Sequence, residues 1–284
     1  MKKLSKINFI KYFNRTNPFC KVLLQELLIS IITFLFFGTT TQVFAQDRDL
    51  THKTHSLYLQ FGRYELKEEN LHGKVHKGLL YGLTYEHSKQ SKNLSQYNIG
   101  LVFSRLKTTY EELPTSANVQ LFGNYNYLFE MINNAKFSYH FGPEFRAHYD
   151  LSFYPNWDES HLYWADYVSI GVGNQFHYRI NEKQSLRINA GLPFVSIISR
   201  PELNKQYKID DISFGGILNS MNSNIEGGTL NRSFYFRSKI EYHFQISDRI
   251  GEAICYSYNY NRVKSSNGHP FQSNQHNLGL KIYF

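Results

Sequence analysis

Several groups of side chains have types and spacings that could do chemistry. His140, Glu144 and His148 recur at intervals of four, the spacing that stacks metal ligands on one face of a helix. Ser266-Asn267-Gly268-His269 supplies a nucleophile, an amide and a base, the residue types of hydrolytic catalysis when base and nucleophile lie within hydrogen-bond reach. Asp158-Glu159-Ser160-His161 and the pair Asp210-Asp211 offer carboxylates, and His72 and His76 flank Gly73. What any of these can do depends on the element that carries it. On a strand, positions four apart are separated by roughly 13 Å, so His140, Glu144 and His148 could not share an ion whose bonds are about 2 Å long. A turn is the simpler reading of Ser-Asn-Gly followed by His-Pro.

The elements are strands. After residue 45 no apolar stripe persists at helical spacing, whereas alternation with period two recurs about ten times. The first half keeps its apolar residues on odd numbers: Leu57 to Phe61, Leu79 to Tyr85, Tyr97 to Phe103, Val119 to Tyr127 and Phe137 to Tyr149. The second half uses even numbers: Val168 to Tyr178, Leu186 to Phe194, Phe234 to Phe244, Ile254 to Tyr260 and Leu278 to Phe284. Each segment is long enough to cross a bilayer at barrel tilt, which takes about 9 to 11 residues. Connections alternate too. Short ones (89–93, 130–134, 181–183, 247–252) separate long ones (66–78, 107–117, 151–163, 199–231, 263–272), as in barrels with short periplasmic turns and long outer loops.

The two chain ends agree with this. Lys2, Lys3, Lys6, Lys11, Arg15 and Lys21 precede an apolar run from Leu27 to Phe37 and the small-residue junction at Ala45, so residues 1–45 read as a cleaved secretory signal peptide and 46–284 as one barrel. That segment holds six of the 31 basic residues and one of the 23 acids, leaving 25 against 22 and a net charge of +3. The basic balance therefore gives no support for a nucleic-acid partner. Cys20 leaves with the signal and Cys255 alone cannot form an internal disulfide. At the other end, Asn277, Gly279, Ile282 and Phe284 fill a pattern of polar, Gly, apolar and terminal aromatic residues. It resembles the β-signal read by the bacterial barrel-assembly machinery.

The faces decide between a soluble and a membrane barrel. The set opposite the oily one is rich in ionisable groups: Lys136, His140, Glu144, Arg146, His148, His177, Arg179, Arg187, Arg237, Lys239, Glu241, His243 and Lys281. The oily set carries almost no charge within the spans, as hydrocarbon requires. The charged set is therefore expected to line a polar lumen, with Glu144 and Glu241 pairing Arg146, Arg237 and Lys239. The chain as a whole resembles a small bacterial outer-membrane β-barrel protein. The fold expected is all-β, a transmembrane antiparallel up-and-down barrel of about ten strands in contact with outer-membrane lipid. Ten strands are also the number in the omptin proteases, but their paired acids and histidine motif are not recovered, and the Ser266 group only shares residue types with an outer-membrane phospholipase. A barrel of this size is largely filled by side chains, unlike porins of about 16 strands. The expectation is a non-enzymatic barrel without metal or cofactor, serving a structural or surface-interaction role, with a surface or periplasmic protein as a possible partner, or forming a narrow pore. The alternative is a lipid or peptide hydrolase with a site in its loops.

Overall fold

The computed structural model describes residues 52–68, 73–108, 115–154, 161–201, 224–245, 251–265 and 270–284. The expected signal peptide, His72, Asp158 to Ser160, Asp210-Asp211 and Ser266 to His269 lie outside the described residues, as does the side chain of His161. The strands are β1 (His52–Lys67), β2 (Val75–Gln90), β3 (Leu94–Thr108), β4 (Ser116–Asn133), β5 (Phe137–Tyr154), β6 (His161–Trp164), β7 (Asp166–Arg179), β8 (Gln184–Ser199), β9 (Ile225–Thr229), β10 (Ser233–Gln245), β11 (Gly251–Val263) and β12 (Phe271–Tyr283). Ten are long. The short β6 pairs the end of β5 and the short β9 pairs the end of β8.

Sequential long strands pair antiparallel, β8 with β10 included, and one further pairing closes the ring: β1 meets β12 from Ser56 opposite Tyr283 to Lys67 opposite Gln272. The chain end takes part: Phe284 N–H donates to His55 O at 3.0 Å and His55 N–H to Phe284 O at 3.2 Å. Closure leaves no long strand with a free edge, which is the condition for sheet to sit in hydrocarbon. The start of β1 and the end of β12 lie with the short turns, so an even strand count returns the described termini to one side.

The orientation of the faces is that of a membrane barrel. Leu59, Phe61, Leu79, Ile170, Leu278 and Leu280 are 50 to 64 % exposed, a surface that water would not tolerate on this scale and acyl chains require. The parity change between the two halves of the sequence has its cause in the loops, and a further change occurs inside β8. There the register against β7 shifts between Ile170 and Gly171, where Pro193 and Val195 are the successive partners. Phe194 and Val195 consequently both face outward, and the inward row passes from Asn189, Gly191 and Pro193 to Ser196 and Ile198. A bulge of this kind adds one residue without losing the strand.

One expectation about the interior needs correction. Toward the long loops the lumen is apolar rather than polar: Leu66, Leu80, Val102, Leu106, Tyr154, Tyr163, Ile198, Val263 and Phe271 form one buried cluster. β1 runs on to Lys67 and β5 to Tyr154, so residues assigned to loops by the sequence reading belong to strands. Consecutive apolar pairs, Leu79-Leu80 and Leu101-Val102, mark strands that are covered by lipid on one face and by this cluster on the other.

Candidate functional site: a lumen closed by paired charges

Strand alternation places ionisable residues of four strands at the short-turn half of the lumen. Lys281 of β12 lies with its Nζ 2.5 Å from Glu86 Oε1 and 3.0 Å from Glu241 Oε1. Lys239 of β10 reaches the same two carboxylates, at 3.0 Å to Glu86 Oε2 and 2.7 Å to Glu241 Oε1. Arg187 of β8 approaches Glu241 Oε2 at 3.5 Å and His243 Nε2 lies 3.0 Å from the same oxygen. Glu86 comes from β2, four strands away from β10 around the ring, so these contacts span the barrel rather than run along a wall. Glu241 has no exposed surface and Lys281 only 1 %. Charges so far from water are tolerable only when paired on several sides, and each carboxylate here meets two ammonium groups.

Nearer the middle, Arg237 donates to Glu144 Oε2 at 2.6 Å and Tyr235 O–H to Oε1 at 2.9 Å. Gly191 makes this possible: a Cβ there would lie 2.7 Å from both Glu144 oxygens. Arg146 does not pair as expected with a carboxylate. Its guanidinium lies over aromatic rings, 5.1 Å from Tyr235 and about 6 Å from Phe122 and Tyr167, where a weakly hydrated planar cation is stabilised by ring quadrupoles. Above it is an amide and carboxylate layer. Asn118 donates to Asp150 Oδ1 at 2.6 Å and to Ser152 at 3.0 Å, Tyr64 O–H donates to Asp150, and Gln275 donates to Gln120. The apolar cluster closes the long-loop end, flanked by a bidentate pair in which Arg200 Nη2 donates to Glu68 at 2.6 and 2.8 Å.

The structure brings together most of the residues singled out in the sequence. Glu144 with Arg237, and Glu241 with Lys239, Lys281, Arg187 and His243, form the contacts just given. His140, Glu144 and His148 all point inward on β5 but do not converge; His148 stacks on Tyr167 at 5.1 Å between centroids, and His140 is buried. Two residues are not in the lumen. Lys136 is exposed in the turn between β4 and β5, and Arg179 is exposed at the rim, because β5 begins only after the one and β7 ends at the other. Glu86, Asp150 and the pair Glu68 and Arg200 were missed. Glu86 shares the even parity of Thr84 and Gly82, opposite Tyr85 and Leu83, and that parity could have found it; nothing local marks Arg200, whose partner is 132 residues away.

At the short-turn mouth the barrel opens into a vestibule of about 470 Å³ lined by Lys53, His177, Arg179, Lys183, Arg187 and His243 among others. Inside the barrel there are small spaces, one of about 50 Å³ beside Arg146 and Lys239 and one of about 10 Å³ beside Asp150. Of the expected β-signal, Asn277 points inward to Gln60 and Ser257, both at 3.4 Å, Ile282 and Phe284 face out, and Gly279 leaves room for the Tyr58 ring and the Leu59 carbonyl.

No protein-family model matches the chain, and no curated protein matches it in sequence. Solved structures do match in fold. The outer-membrane protease OmpT from Escherichia coli superposes with a TM-score of 0.52 at 8 % identity, over 86 % of this chain and 99 % of that one. The translocator domain of the autotransporter NalP from Neisseria meningitidis gives a TM-score of 0.40 at 8 % identity, over 90 % and 96 %. Ail, the attachment invasion locus protein of Yersinia pestis, gives 0.28 at 15 % identity, over 82 % and 99 %. At such identities the likeness concerns the fold: a closed antiparallel barrel of the outer-membrane kind.

Proposed function

We propose that this outer-membrane barrel is non-enzymatic and sealed, and that it acts as a structural or surface-interaction protein through the ends it presents on either side of the membrane. The observation that carries the reading is the double closure of the lumen, by Glu86, Glu241, Lys239 and Lys281 below and by Leu66, Leu80, Leu106 and Tyr154 above. An ion entering from the vestibule would have to part charges that satisfy one another and then cross an oily layer, and each of these steps is costly in a low-dielectric interior. The residue types of an acid–histidine site do occur near the long-loop end, where His148 Nε2 lies 3.9 Å from Asp150. Both are buried beneath the apolar cluster, a poor position for meeting a substrate.

A narrow anion-selective pore is the competing reading, favoured by the basic vestibule. Planar-bilayer recordings on the purified barrel separate the two. The sealed reading expects no stepwise current from wild type and none from Arg237→Ala; an anion-selective current that changes with Arg237→Ala would replace it with the pore. Peptide and phospholipid hydrolysis assays on the same material, with Ser266→Ala as control, test the enzymatic alternative, and turnover lost in that variant would overturn the non-enzymatic reading.

A further inference from the structure

On three neighbouring strands the lipid-facing row changes from oily to basic in one step toward the long loops. On β1 Phe61 is followed by Arg63 and later Lys67; on β2 Leu79 gives way to Lys77 and then to the apolar Val75; on β3 Phe103 is followed by Arg105 and Lys107. Register sets these side by side, with Leu79 between Arg63 and Arg105, and Lys77 between Glu65 and Lys107. Strands about 4.8 Å apart with second positions about 7 Å along put the group on a face roughly 15 Å across. All five cations are exposed. One carboxylate lies among them: Glu65, 2.8 Å from Arg63 and 3.8 Å from Lys77. Among the described residues no ion pair takes up Lys67, Arg105 or Lys107; Glu69, Glu111 and Glu112 of the adjoining loops lie outside those residues. The wall of β5, β7 and β8 has no such step, whereas β11 carries Arg262 beyond Tyr260, with Lys264 just past its end. Leu151 and Phe153 on β5, Val168 on β7 and Val195 and Ile197 on β8 stay apolar toward the same end.

We propose that the basic face of β1, β2 and β3 binds the phosphorylated headgroup of an outer-leaflet lipid, an inference that rests on the barrel standing in the outer membrane with its long loops outside. The cations point sideways from the row that contacts acyl chains, so one molecule can lay its chains on Phe61, Leu79 and Phe103 and bring its phosphates to Arg63, Lys77, Arg105 and Lys107. Guanidinium groups meet phosphate oxygens through paired charge-assisted hydrogen bonds, and lysines add point charges. Charged side chains close to a membrane surface act on anionic headgroups within a Debye length. A soluble polyanion would find the same charge but gain nothing from the oily row beneath it, and the apolar wall of β5, β7 and β8 keeps basic side chains to part of the ring.

Native mass spectrometry of the detergent-solubilised barrel tests this, using a bis-phosphorylated glycolipid, its dephosphorylated counterpart and soluble pyrophosphate as probes. Wild type is expected to retain the phosphorylated lipid at least tenfold better than the dephosphorylated one, with pyrophosphate a weak competitor. Arg105→Glu with Lys107→Glu should lower that retention tenfold or more, while Lys89→Glu with Lys183→Glu, at the other end of the barrel, leaves it unchanged. Equal retention of the two lipids, equal loss in both double variants, or full displacement by pyrophosphate overturns the proposal. Heat-modifiable mobility on gels checks the fold of each variant. Should the first pair misfold, Arg105→Gln and Lys107→Gln take its place with the same expected direction, and the two-lipid comparison in wild type still decides. A wild-type chain that stays in aqueous solution without detergent refutes the membrane reading itself, a result distinct from a folded barrel that ignores phosphate.

Discussion

Toward the short turns the lumen is shut by Glu86, Glu241, Lys239 and Lys281, all within 3.0 Å of an opposite charge; toward the long loops it is shut by Leu66, Leu80, Leu106 and Phe271, with no charge among them. Both closures occupy inward rows of one ring of strands, yet they depend on different physics. Oily packing is roughly additive and non-directional: each side chain contributes its own burial and leaves its own cavity when truncated. The charge layer stands or falls as a set, because desolvation has been spent on every member and only the complete arrangement offsets it.

The largest effect is therefore expected from removing one partner of the charge layer. Glu241→Ala would leave Lys239, Lys281 and Arg187 facing Glu86 alone, a loss of about 3 to 5 kcal/mol, read as a lower guanidinium midpoint for unfolding from lipid vesicles. A loss below about 1 kcal/mol would mean that water already screens the layer and that the two closures differ less than their composition implies. Leu106→Ala probes the other end. Its side chain is fully buried, and about 2 to 5 kcal/mol is the usual range for such a truncation. Since no charge is involved, the Leu106 variant should show the same difference from wild type at low and high ionic strength.

How far this contrast could be read in the sequence differs between the two ends. Period two, alternating loop lengths and the closing Asn277 to Phe284 pattern contain the ring and the outward direction of Leu59, Ile170 and Leu280, since burial in lipid acts on every second residue of each strand separately. Glu144, Glu241, Lys239 and Lys281 were legible as inward for the same reason. Which acid meets which base was not. Glu86 and Lys239 are 153 residues apart, and only barrel closure and shear bring their strands to the same height. The oily closure escaped because Leu66 and Leu80 share parity with polar neighbours such as Gln60 and Thr84; alternation reports a face, not a level along it. The bulge at Phe194 and Val195, which reverses parity within β8, is equally silent in a pattern of apolar residues on both sides.

A smaller effect would sharpen the comparison from the opposite direction. Replacing Glu86 by Gln and Lys281 by Met together removes one charge of each sign and fills similar volume, leaving Glu241 with Lys239 and Arg187 at 2.7 and 3.5 Å. Joint removal of a buried pair by isosteres is often neutral or stabilising. The double variant should unfold within about 1 kcal/mol of wild type, whereas Lys281→Met alone should cost several times that, on the order of 3 kcal/mol. Additive single and double effects would show that Glu86 and Lys281 are not coupled, and that the layer is a collection of independent contacts like the cluster above it.

The smallest effect belongs to the same chemistry in another medium. Arg63 and Glu65 lie 2.8 Å apart, as close as the lumen pairs, but Arg63 is 58 % exposed beside the membrane surface. Its attraction is weakened by solvent and partly cancelled by the entropy of holding two long side chains, so exposed pairs contribute about 0.2 to 1 kcal/mol. In vesicles of zwitterionic lipid, Arg63→Ala should shift the unfolding midpoint by no more than that, and the shift should shrink as salt is added. Distance alone would have ranked this pair with Lys239 and Glu241. A loss comparable to that of Glu241→Ala would show that the outer face near Arg63 is as dry as the lumen, and that its cations are already held by a tightly bound anion.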